Sequence, residues 1–167
     1  MNALVKVDKG SCTGLVEDGS AREFEEKWFG EKSGDKLFLN IIEISYLLLT
    51  GRIIVETDGR IISTLEDFMK SSLECFKEYS WSNLVVYKDL RDRGRKVRVL
   101  GKNVFMMKDK HGDIRLVLIL EEKSPLGVKD IIEFAEKSMR NNITPIVAIV
   151  SLQGEITYYE LARIEPS

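Results

Sequence analysis

The sequence has little cysteine, no long apolar run and almost no net charge, and each lack excludes a class of protein. Its only cysteines, Cys12 and Cys75, are too few and too far apart for a disulfide framework or a metal knuckle. We therefore expect both to be reduced, and we expect neither a metal nor another cofactor. No stretch approaches the about 18 consecutive apolar residues of a membrane span, and the first residues lack the pattern of a leader. These absences predict a cytoplasmic protein with no membrane partner.

The charges nearly cancel, which excludes a chain that binds polyanions over its whole surface. The 25 basic and 27 acidic side chains leave a formal net charge of −2, so contact with nucleic acid must use a local basic patch or a partner's charge. The 167 residues, 44% of them apolar, are enough for a real core in one domain or in two small ones. We expect two domains, residues 1–80 and 81–167, because the polar stretch 77–83 has the composition of a boundary.

The first half alternates short strands with helices. Residues 3–7 and 12–16 alternate weakly, as strands do, and Asp18-Gly19 is a turn signal. An apolar helix follows at residues 41–49. Ser63 or Thr64 is expected to cap a later helix, whose inner face is formed by Leu65, Phe68, Met69, Leu73 and Phe76. The pattern predicts a small α/β domain with antiparallel strands.

The second half opens with a helix that ends at a glycine and continues as a strand. Apolar residues at 84, 86, 87 and 90 share one helical face, Gly94 follows as a C-terminal cap, and alternation begins at residue 96. The aliphatic run at 114–120 predicts a central strand that is buried on both faces. Further strands are expected at 96–100, 104–108, 145–150 and 156–161, with a helix at 128–139. The fold class is therefore α+β, with a mixed sheet packed between helices in the second domain.

Two blocks of residues resemble the tRNA-splicing endonucleases of archaea. In the first half the block comprises residues 28–30 (Trp-Phe-Gly), 37–39, 42–48 and 51–53. In the second half, Tyr87 to Gly94 reads Tyr-Lys-Asp-Leu-Arg-Asp-Arg-Gly and is followed by a strand. The resemblance implies an N-terminal domain of that family and a C-terminal domain with its nuclease-like catalytic fold. It also implies metal-free cleavage of precursor tRNA at bulge-helix-bulge sites, giving a 2′,3′-cyclic phosphate and a 5′-hydroxyl.

Such a reaction needs a base for the 2′-hydroxyl, an acid for the leaving 5′-oxygen and a cation for the phosphorane. In active members of the family these roles belong to Tyr, His and Lys. Here Lys108 stands where the tyrosine is expected, and Asn141, directly after Arg140, replaces the lysine. His111 is the only histidine and lies about one residue from the family position, so it is either a remnant of the catalytic acid or a solvated turn residue. The sequence therefore predicts a degraded active site.

A recognisable fold with a degraded triad resembles the structural subunit of a two-plus-two heterotetrameric endonuclease, whose partners are a catalytic subunit and precursor tRNA. Two alternatives remain open. The chain is an active subunit that uses His111, with a group such as Lys108 replacing the missing ones, or it is a non-enzymatic interaction module that shares only the fold.

The resemblance also implies where subunits and RNA are contacted. In such proteins the end strands of two subunits pair side by side, and the loop before these strands inserts into the opposing pair of subunits. The corresponding interface residues in this chain are Gly154, Glu155, Ile156, Tyr158, Tyr159 and Leu161. Tyr158 and Tyr159 are also compatible with one core and one surface aromatic. A basic cluster, formed by Arg91, Arg93, Arg95, Lys96 and Arg98, is either a solvated face or a phosphate contact. The candidate RNA-binding residues are Arg91, Arg93, Arg95 and Arg98 from this cluster, and Arg140 beside the degraded site.

Overall fold

A computed structural model describes residues 2–17, 19–125 and 127–166, so the turn expected at Asp18-Gly19 lies partly outside the described residues. The chain divides into two compact units, residues 1–79 and 80–167, here called the N-terminal and the C-terminal unit. Among the described residues no helix is long and apolar enough to cross a membrane.

The described part of the N-terminal unit is built on a six-stranded sheet in the order β3-β4-β2-β1-β5-β6. Only β1 and β5 pair in parallel, and the other neighbouring strands are antiparallel. The strands are β1 (Ala3–Asp8), β2 (Thr13–Val16), β3 (Glu31–Ser33), β4 (Lys36–Leu39), β5 (Ile53–Thr57) and β6 (Arg60–Ile62). The helices are α1 (Ala21–Glu26), α2 (Ile41–Leu49), α3 (Leu65–Ser71) and a 3-10 helix (Leu73–Phe76).

The buried carboxylate of Glu43 joins α2 to the turn that follows α1. It accepts hydrogen bonds from the backbone amides of Asn40 (3.0 Å) and Gly30 (2.5 Å), while the Asn40 side chain accepts from the Glu43 amide. Gly30 has φ +80°, and a Cβ atom there would lie 2.8 Å from the Leu37 side chain, so glycine is required. Buried carboxylates are tolerated when their oxygens accept hydrogen bonds, and this one joins two segments of the first block of the family pattern, residues 28–30 and 42–48.

Cys12 and Cys75 form a disulfide bond, with an S–S distance of 2.10 Å, so the expectation that both are reduced is wrong. The bond joins the β1–β2 turn to the 3-10 helix, which are 63 residues apart in sequence. The helical face expected around Phe68 also needs correction: α3 ends at Ser71, and the change to a 3-10 helix breaks the 3.6-residue period. Phe68 is buried, whereas Met69 and Leu73 are exposed.

The described part of the C-terminal unit has a five-stranded mixed sheet in the order β11-β10-β9-β8-β7. Only β9 and β10 are parallel, because α5 carries the chain from one to the other. The elements are α4 (Trp81–Asp92), β7 (Lys96–Gly101), β8 (Val104–Lys108), β9 (Ile114–Glu121), α5 (Val128–Arg140), β10 (Thr144–Val150) and β11 (Ile156–Glu160). The α+β class and the mixed sheet with its helices are confirmed.

The two faces of this sheet are covered unequally. The Tyr87 ring of α4 packs edge-on against Phe105 at 5.8 Å, and each of β7 to β10 has buried residues on that face, among them Val97, Val117 and Ala148. On the other face α5 contacts β10 and covers Val147. Leu116 and Leu118 of β9 point to this second face but are only half-buried, so the expected burial of β9 on both faces is wrong. Strand β9 is central in the sheet, but α5 lies over the neighbouring strand β10.

Candidate active-site region at one end of the C-terminal sheet

The register of the C-terminal sheet brings the three predicted catalytic positions to the same end. Strand β8 ends at Lys108, which pairs with Ile114 at the start of β9. Because β9 and β10 are parallel, Thr144 at the start of β10 pairs with Arg115. The loop 109–113 and the turn 141–143, which follows α5, therefore lie at one end of the sheet. Lys108 and His111 come from the β8–β9 connection there, and Asn141 comes from the α5–β10 connection.

The loop between β8 and β9 is closed by the carboxylate of Asp109. Its Oδ1 atom accepts hydrogen bonds from the amides of His111 (2.8 Å) and Asp113 (3.0 Å), and its Oδ2 atom accepts from the Arg115 guanidinium (3.4 Å). Desolvation raises the pKa of Asp109, but the two amides and Arg115 outweigh it and hold that pKa below its usual value. The loop backbone is therefore fixed around an ionised carboxylate.

His111 sits at the exposed tip of this loop. Its amide is held by Asp109, and Gly112 follows with φ +89°. The residue is exposed, in agreement with a solvated turn residue, although an exposed imidazole at this edge is also able to transfer a proton. Asp109 thus fixes the backbone of His111, while the exposed imidazole can contact solvent or a substrate.

Lys108 ends β8 and is half-buried, with its Cε atom 3.8 Å from the position that a Cβ atom on Gly112 would take. Its side chain thus lies along the loop that carries His111. A protonated amine has three donors and no acceptor, so it cannot take a proton from a hydroxyl as a phenolate can. The position where the resemblance expects a base holds a cation.

Asn141 is the C-cap of α5 and is exposed. Its side-chain Nδ2 donates to the Lys137 carbonyl at 2.9 Å, so the carboxamide satisfies an open carbonyl of the last helical turn. Arg140, the last residue of α5, is exposed as well. The predicted lysine position therefore carries a neutral capping group beside an exposed guanidinium.

The predicted basic cluster is divided between internal contacts and the surface. The Arg91 guanidinium donates to the Tyr87 hydroxyl (3.1 Å) and to the Val97 carbonyl (2.8 Å), and it lies over the Tyr87 ring. Arg93 pairs with Asp89 at 2.9 Å. Arg91 therefore ties the end of α4 to β7, which is a structural task that the sequence does not reveal.

Two further members of the cluster, Arg95 and Arg98, are half-buried. Arg95 is half-buried and donates to the backbone carbonyl of Arg93 at 3.2 Å. Arg98, on β7, is half-buried and points to the sheet face away from α4. The five predicted RNA-binding residues thus do not form one continuous patch, and Arg140, which is exposed, is the one best placed to meet a ligand.

The edge strand β11 carries the predicted interface residues. Tyr158 turns toward α4 and its hydroxyl donates to Asp89 at 2.7 Å, whereas Tyr159 points to the other face and is 52% exposed. Burial, together with the hydrogen bond to the Asp89 carboxylate, raises the pKa of Tyr158. Ile156 and Leu161 are half-buried, Glu155 is exposed and Gly154 has φ +83°. One tyrosine therefore packs inside the unit and the other faces outward.

A groove of about 630 Å³ lies between α5 and the segment after β11. Arg140, Arg163 and Glu136 are the charged residues of its lining, and the apolar lining comprises Ile131, Ile132, Ala135, Met139, Leu161 and Ala162. Ile132 is 50% exposed. An apolar helix face thus adjoins the open edge of the sheet.

Arg115 is a residue of this region that sequence reasoning missed. It is half-buried and pairs with Asp109 and with Glu160, both at 3.4 Å, so it joins the loop of His111 to the end of β11. The available signal was a lone cation inside the aliphatic run 114–120. Within the described residues, no three His, Cys, Asp or Glu side chains come together as a metal site requires.

Both halves of the chain match described protein domains. Residues 7–69 match the family "tRNA intron endonuclease, N-terminal domain", and residues 80–158 match "tRNA intron endonuclease, catalytic C-terminal domain". The chain is 32% identical over 148 residues to a tRNA-splicing endonuclease of Pyrococcus horikoshii, covering 85% of each protein. It is 33% identical over 138 residues to that of Pyrococcus furiosus, covering 80% of this chain and 79% of the relative.

A relative from Methanosarcina mazei, also named tRNA-splicing endonuclease, is a longer protein. It is 26% identical over 171 residues, which cover 99% of this chain and 48% of the relative. The chain therefore spans about half the length of that protein.

Proposed function

The chain belongs to the tRNA intron endonuclease family, and from that premise we propose that it is the structural subunit of a tRNA-splicing endonuclease. It assembles with a catalytic chain that excises introns from precursor tRNA at bulge-helix-bulge sites. The products are a 2′,3′-cyclic phosphate and a 5′-hydroxyl. In this proposal, residues 1–80 and 81–167 are the family's two domains, and the complex works in the cytoplasm of an archaeon.

The observation that carries the proposal is the chemistry at the end of the C-terminal sheet. A cation, Lys108, stands at the position of the base, and a neutral helix cap, Asn141, stands at the position of the cation. Loss of one group that stabilises developing charge typically lowers kcat by about 10²- to 10³-fold. With the base missing as well, His111 alone cannot supply acid, base and charge stabilisation. This chain then contributes structure, and its partner contributes the chemistry.

Assembly through β11 is supported by a difference between the two open edges of the sheet. Strand β7 carries Lys96 and Arg98 and has a register irregularity between Val99 and Gly101, which are features that discourage pairing. Strand β11 reads Ile-Thr-Tyr-Tyr before its first charge at Glu160. Pairing of β11 with the end strand of the catalytic chain also brings a neighbour to the apolar groove beside α5. We propose a two-plus-two heterotetramer built on this contact.

Contact with precursor tRNA is proposed through the basic cluster and Arg140, which is exposed at the end of α5. Arg91 and Arg93, by contrast, bind groups of their own unit. Phosphate contacts are sequence-independent and weaken with salt. This chain is therefore proposed to extend the RNA platform, and the catalytic chain reads the bulges.

The test is cleavage of a bulge-helix-bulge RNA in EDTA by this chain alone, by the catalytic endonuclease chain of the same organism alone, and by both. We expect cleavage only by the mixture, with cyclic phosphate ends. A matched interface variant, Thr157→Lys with Tyr159→Lys, gives β11 the charges that β7 carries and should abolish cleavage by the mixture. Cleavage by this chain alone contradicts the structural role.

A second candidate is an active subunit that uses His111, which is favoured by the way Asp109 fixes the loop while the imidazole stays exposed. His111→Ala in this chain then abolishes cleavage by the mixture, whereas the adjacent Lys110→Ala does not. If His111→Ala leaves the rate within about two-fold of wild type, all proton transfer belongs to the partner.

A further inference from the structure

A cleft of about 420 Å³ lies beside the disulfide bond of the N-terminal unit, and we call it the cysteine cleft. Its lining comes from the β1–β2 turn, from the end of α3 and from the 3-10 helix that follows. Cys75 is one of the lining residues, and Cys12 is not. The volume falls in the range of small-molecule sites, so a compound or a loop that carries a thiol can enter the cleft.

The position of the cysteine cleft makes the two sulfur atoms different targets. In thiol–disulfide exchange a thiolate attacks one sulfur from the side opposite the other sulfur, which then leaves. A cleft that contacts Cys75 and not Cys12 lies on the Cys75 side of the bond. Exposure alone predicts the opposite, because Cys12 is half-buried whereas Cys75 is only 9% exposed. The choice of sulfur therefore distinguishes attack through the cleft from attack at the open surface.

The charges of the lining favour an anion. Two lysines, Lys9 and Lys70, and a single acid, Glu74, line the cysteine cleft. Lys70 pairs with Glu66 at 3.0 Å, but the two side chains are 71% and 77% exposed, so this ion pair contributes little and does not fix the ammonium group. A nearby ammonium group attracts a thiolate and lowers the pKa of a thiol. The lining thus suits the form of a thiol that attacks.

The sulfur atoms also have a common acceptor beside them. Sγ of Cys12 lies 3.4 Å from the carbonyl oxygen of Lys9, and Sγ of Cys75 lies 3.5 Å from the same oxygen. A carbonyl oxygen has two lone pairs, and a thiol is a weak donor. After the bond opens, each thiol is therefore able to donate to the β1–β2 turn.

The segment that the disulfide holds is short. The 3-10 helix is one turn that follows a break at Ser72 (φ −132°, ψ 42°), and its first residue, Leu73, is 67% exposed. The chain enters the C-terminal unit at Ser80, soon after this helix ends at Phe76. Opening of the bond therefore loosens the segment that leads into the C-terminal unit, because a short helix with an exposed side chain has little burial to hold it.

We propose that the cysteine cleft is a thiol–disulfide exchange site, at which a dithiol opens the Cys12–Cys75 bond by attack on Cys75. A thiolate of the dithiol bonds to Sγ of Cys75, the S–S bond of the protein breaks, and Cys12 leaves as a thiolate that takes a proton from water. The second thiol of the dithiol loses its proton to water and attacks the dithiol sulfur of the mixed disulfide. Cys75 then leaves and is protonated, so the protein gains two electrons and the dithiol becomes a disulfide.

The first test identifies the sulfur that is attacked. The full-length oxidised protein is treated briefly with a monothiol, 2-mercaptoethanol, and acid stops the exchange at the mixed disulfide. Mass spectrometry of peptic peptides then locates the adduct. We expect the adduct on Cys75 and a free thiol on Cys12. An adduct mainly on Cys12 overturns the proposal, because attack then occurs at the more exposed residue.

The second test measures the rate of reduction by dithiothreitol. Leu73→Trp places a large ring at the cleft and should slow reduction at least about five-fold, since exchange depends on access to the attacked sulfur. Its matched control is Ile61→Trp, because Ile61 is 61% exposed on β6 and does not line the cleft. Equal rates for the two variants overturn the proposal. Circular dichroism and the melting temperature of the oxidised proteins show that each variant folds.

The charge of the cysteine cleft is tested in the same assay. Lys70→Glu should slow reduction at least about three-fold at low salt, and the difference should shrink at high salt. The control is Lys36→Glu, which makes the same charge change at an exposed residue of β4 outside the lining. An equal effect of the two variants contradicts a role for the charge of the cleft.

Dithiothreitol and a thioredoxin distinguish the two sources of a dithiol, a small molecule and a protein. If thioredoxin reduces the bond and Leu73→Trp slows it, the cleft admits a protein dithiol; if only dithiothreitol does so, the cleft serves small thiols. If neither reduces the bond, the exchange site is refuted. A rate that does not rise with thiol concentration also refutes it, because opening of the unit then limits the reaction.

Discussion

Replacement of Cys12 and Cys75 by serine removes the one covalent tie between the β1–β2 turn and the 3-10 helix, and we expect a large loss of stability in the N-terminal unit. The 3-10 helix Leu73–Phe76 is a single short element with an exposed Leu73. Its other anchorage includes the Phe76 ring, which packs edge-on between Phe68 (5.5 Å) and Tyr79 (5.2 Å). Without the disulfide, these ring contacts must hold the segment after α3.

The magnitude follows from the length of chain that the bond closes. The cysteines are 63 residues apart in sequence, and for a loop of that length the chain-entropy relation gives about 4 kcal/mol of stabilisation at 25 °C. The full effect needs an otherwise unstructured denatured state, so a value of about 2–4 kcal/mol is expected in practice. The expected change is a large fraction of the ~5–15 kcal/mol that stabilises a typical domain.

The assay can report on this unit alone, because the chain has two tryptophans and each unit holds one, Trp28 and Trp81. In a Trp81→Phe background, Trp28 fluorescence follows urea unfolding of the N-terminal unit, with and without reductant. Reduction and the double serine variant should shift the transition equally, and reductant should not affect the serine variant. A mass that shows two free thiols in the untreated protein, or a loss below about 1 kcal/mol, refutes the reasoning.

Three further predictions concern the C-terminal unit. Tyr158→Phe removes the hydrogen bond to Asp89 and should lower the free energy of unfolding by about 1–2 kcal/mol in urea titrations; no change means that the bond contributes nothing. Asp109→Asn tests the lowered pKa of Asp109. The ionised carboxylate stabilises the fold fully above the unfolded pKa of about 4, and this stabilisation is lost as the pH falls through the lower folded pKa. The melting temperature of the wild type should therefore fall more steeply on acidification than that of the variant, and parallel slopes contradict this. Arg91→Ala should lower the free energy of unfolding of the unit, because Arg91 ties α4 to β7. Arg140→Ala should leave the free energy of unfolding unchanged and weaken RNA binding by the assembled enzyme in a filter-binding titration. The reverse pattern refutes the structural role of Arg91 and the RNA-binding role of Arg140.

Local signals in the sequence were sufficient for the order of elements in the C-terminal unit. The helix face before Gly94 and the alternation after it follow from short-range periodicity, and both are present as α4 and β7. The aliphatic run at 114–120 correctly indicated a central strand, since only an inner strand excludes charge so fully. Its lone Arg115 marks the exception, where the strand meets the candidate active-site region.

Features that depend on contacts between distant segments were not accessible in the same way. The pairing of Cys12 with Cys75 requires the β1–β2 turn to meet the 3-10 helix, which spacing in the sequence cannot reveal. The half-burial of Leu116 follows from α5 covering β10 rather than β9. Likewise, the internal role of Arg91 depends on the Tyr87 hydroxyl and the Val97 carbonyl, so a dense basic run did not become a continuous basic surface.

The candidate active-site region also has a consequence for how enzymes of two chains arise. Positions 108, 111 and 141 are brought together by the backbone pairing of β8, β9 and β10 and by the end of α5, not by their own side chains. Side chains there can be exchanged without disturbing the sheet, so natural selection for a folded protein does not preserve the nuclease chemistry. After gene duplication, one copy can lose its catalytic groups at no cost in folding and persist for its assembly surface alone. This fold therefore allows catalysis and assembly to be divided between the products of two genes.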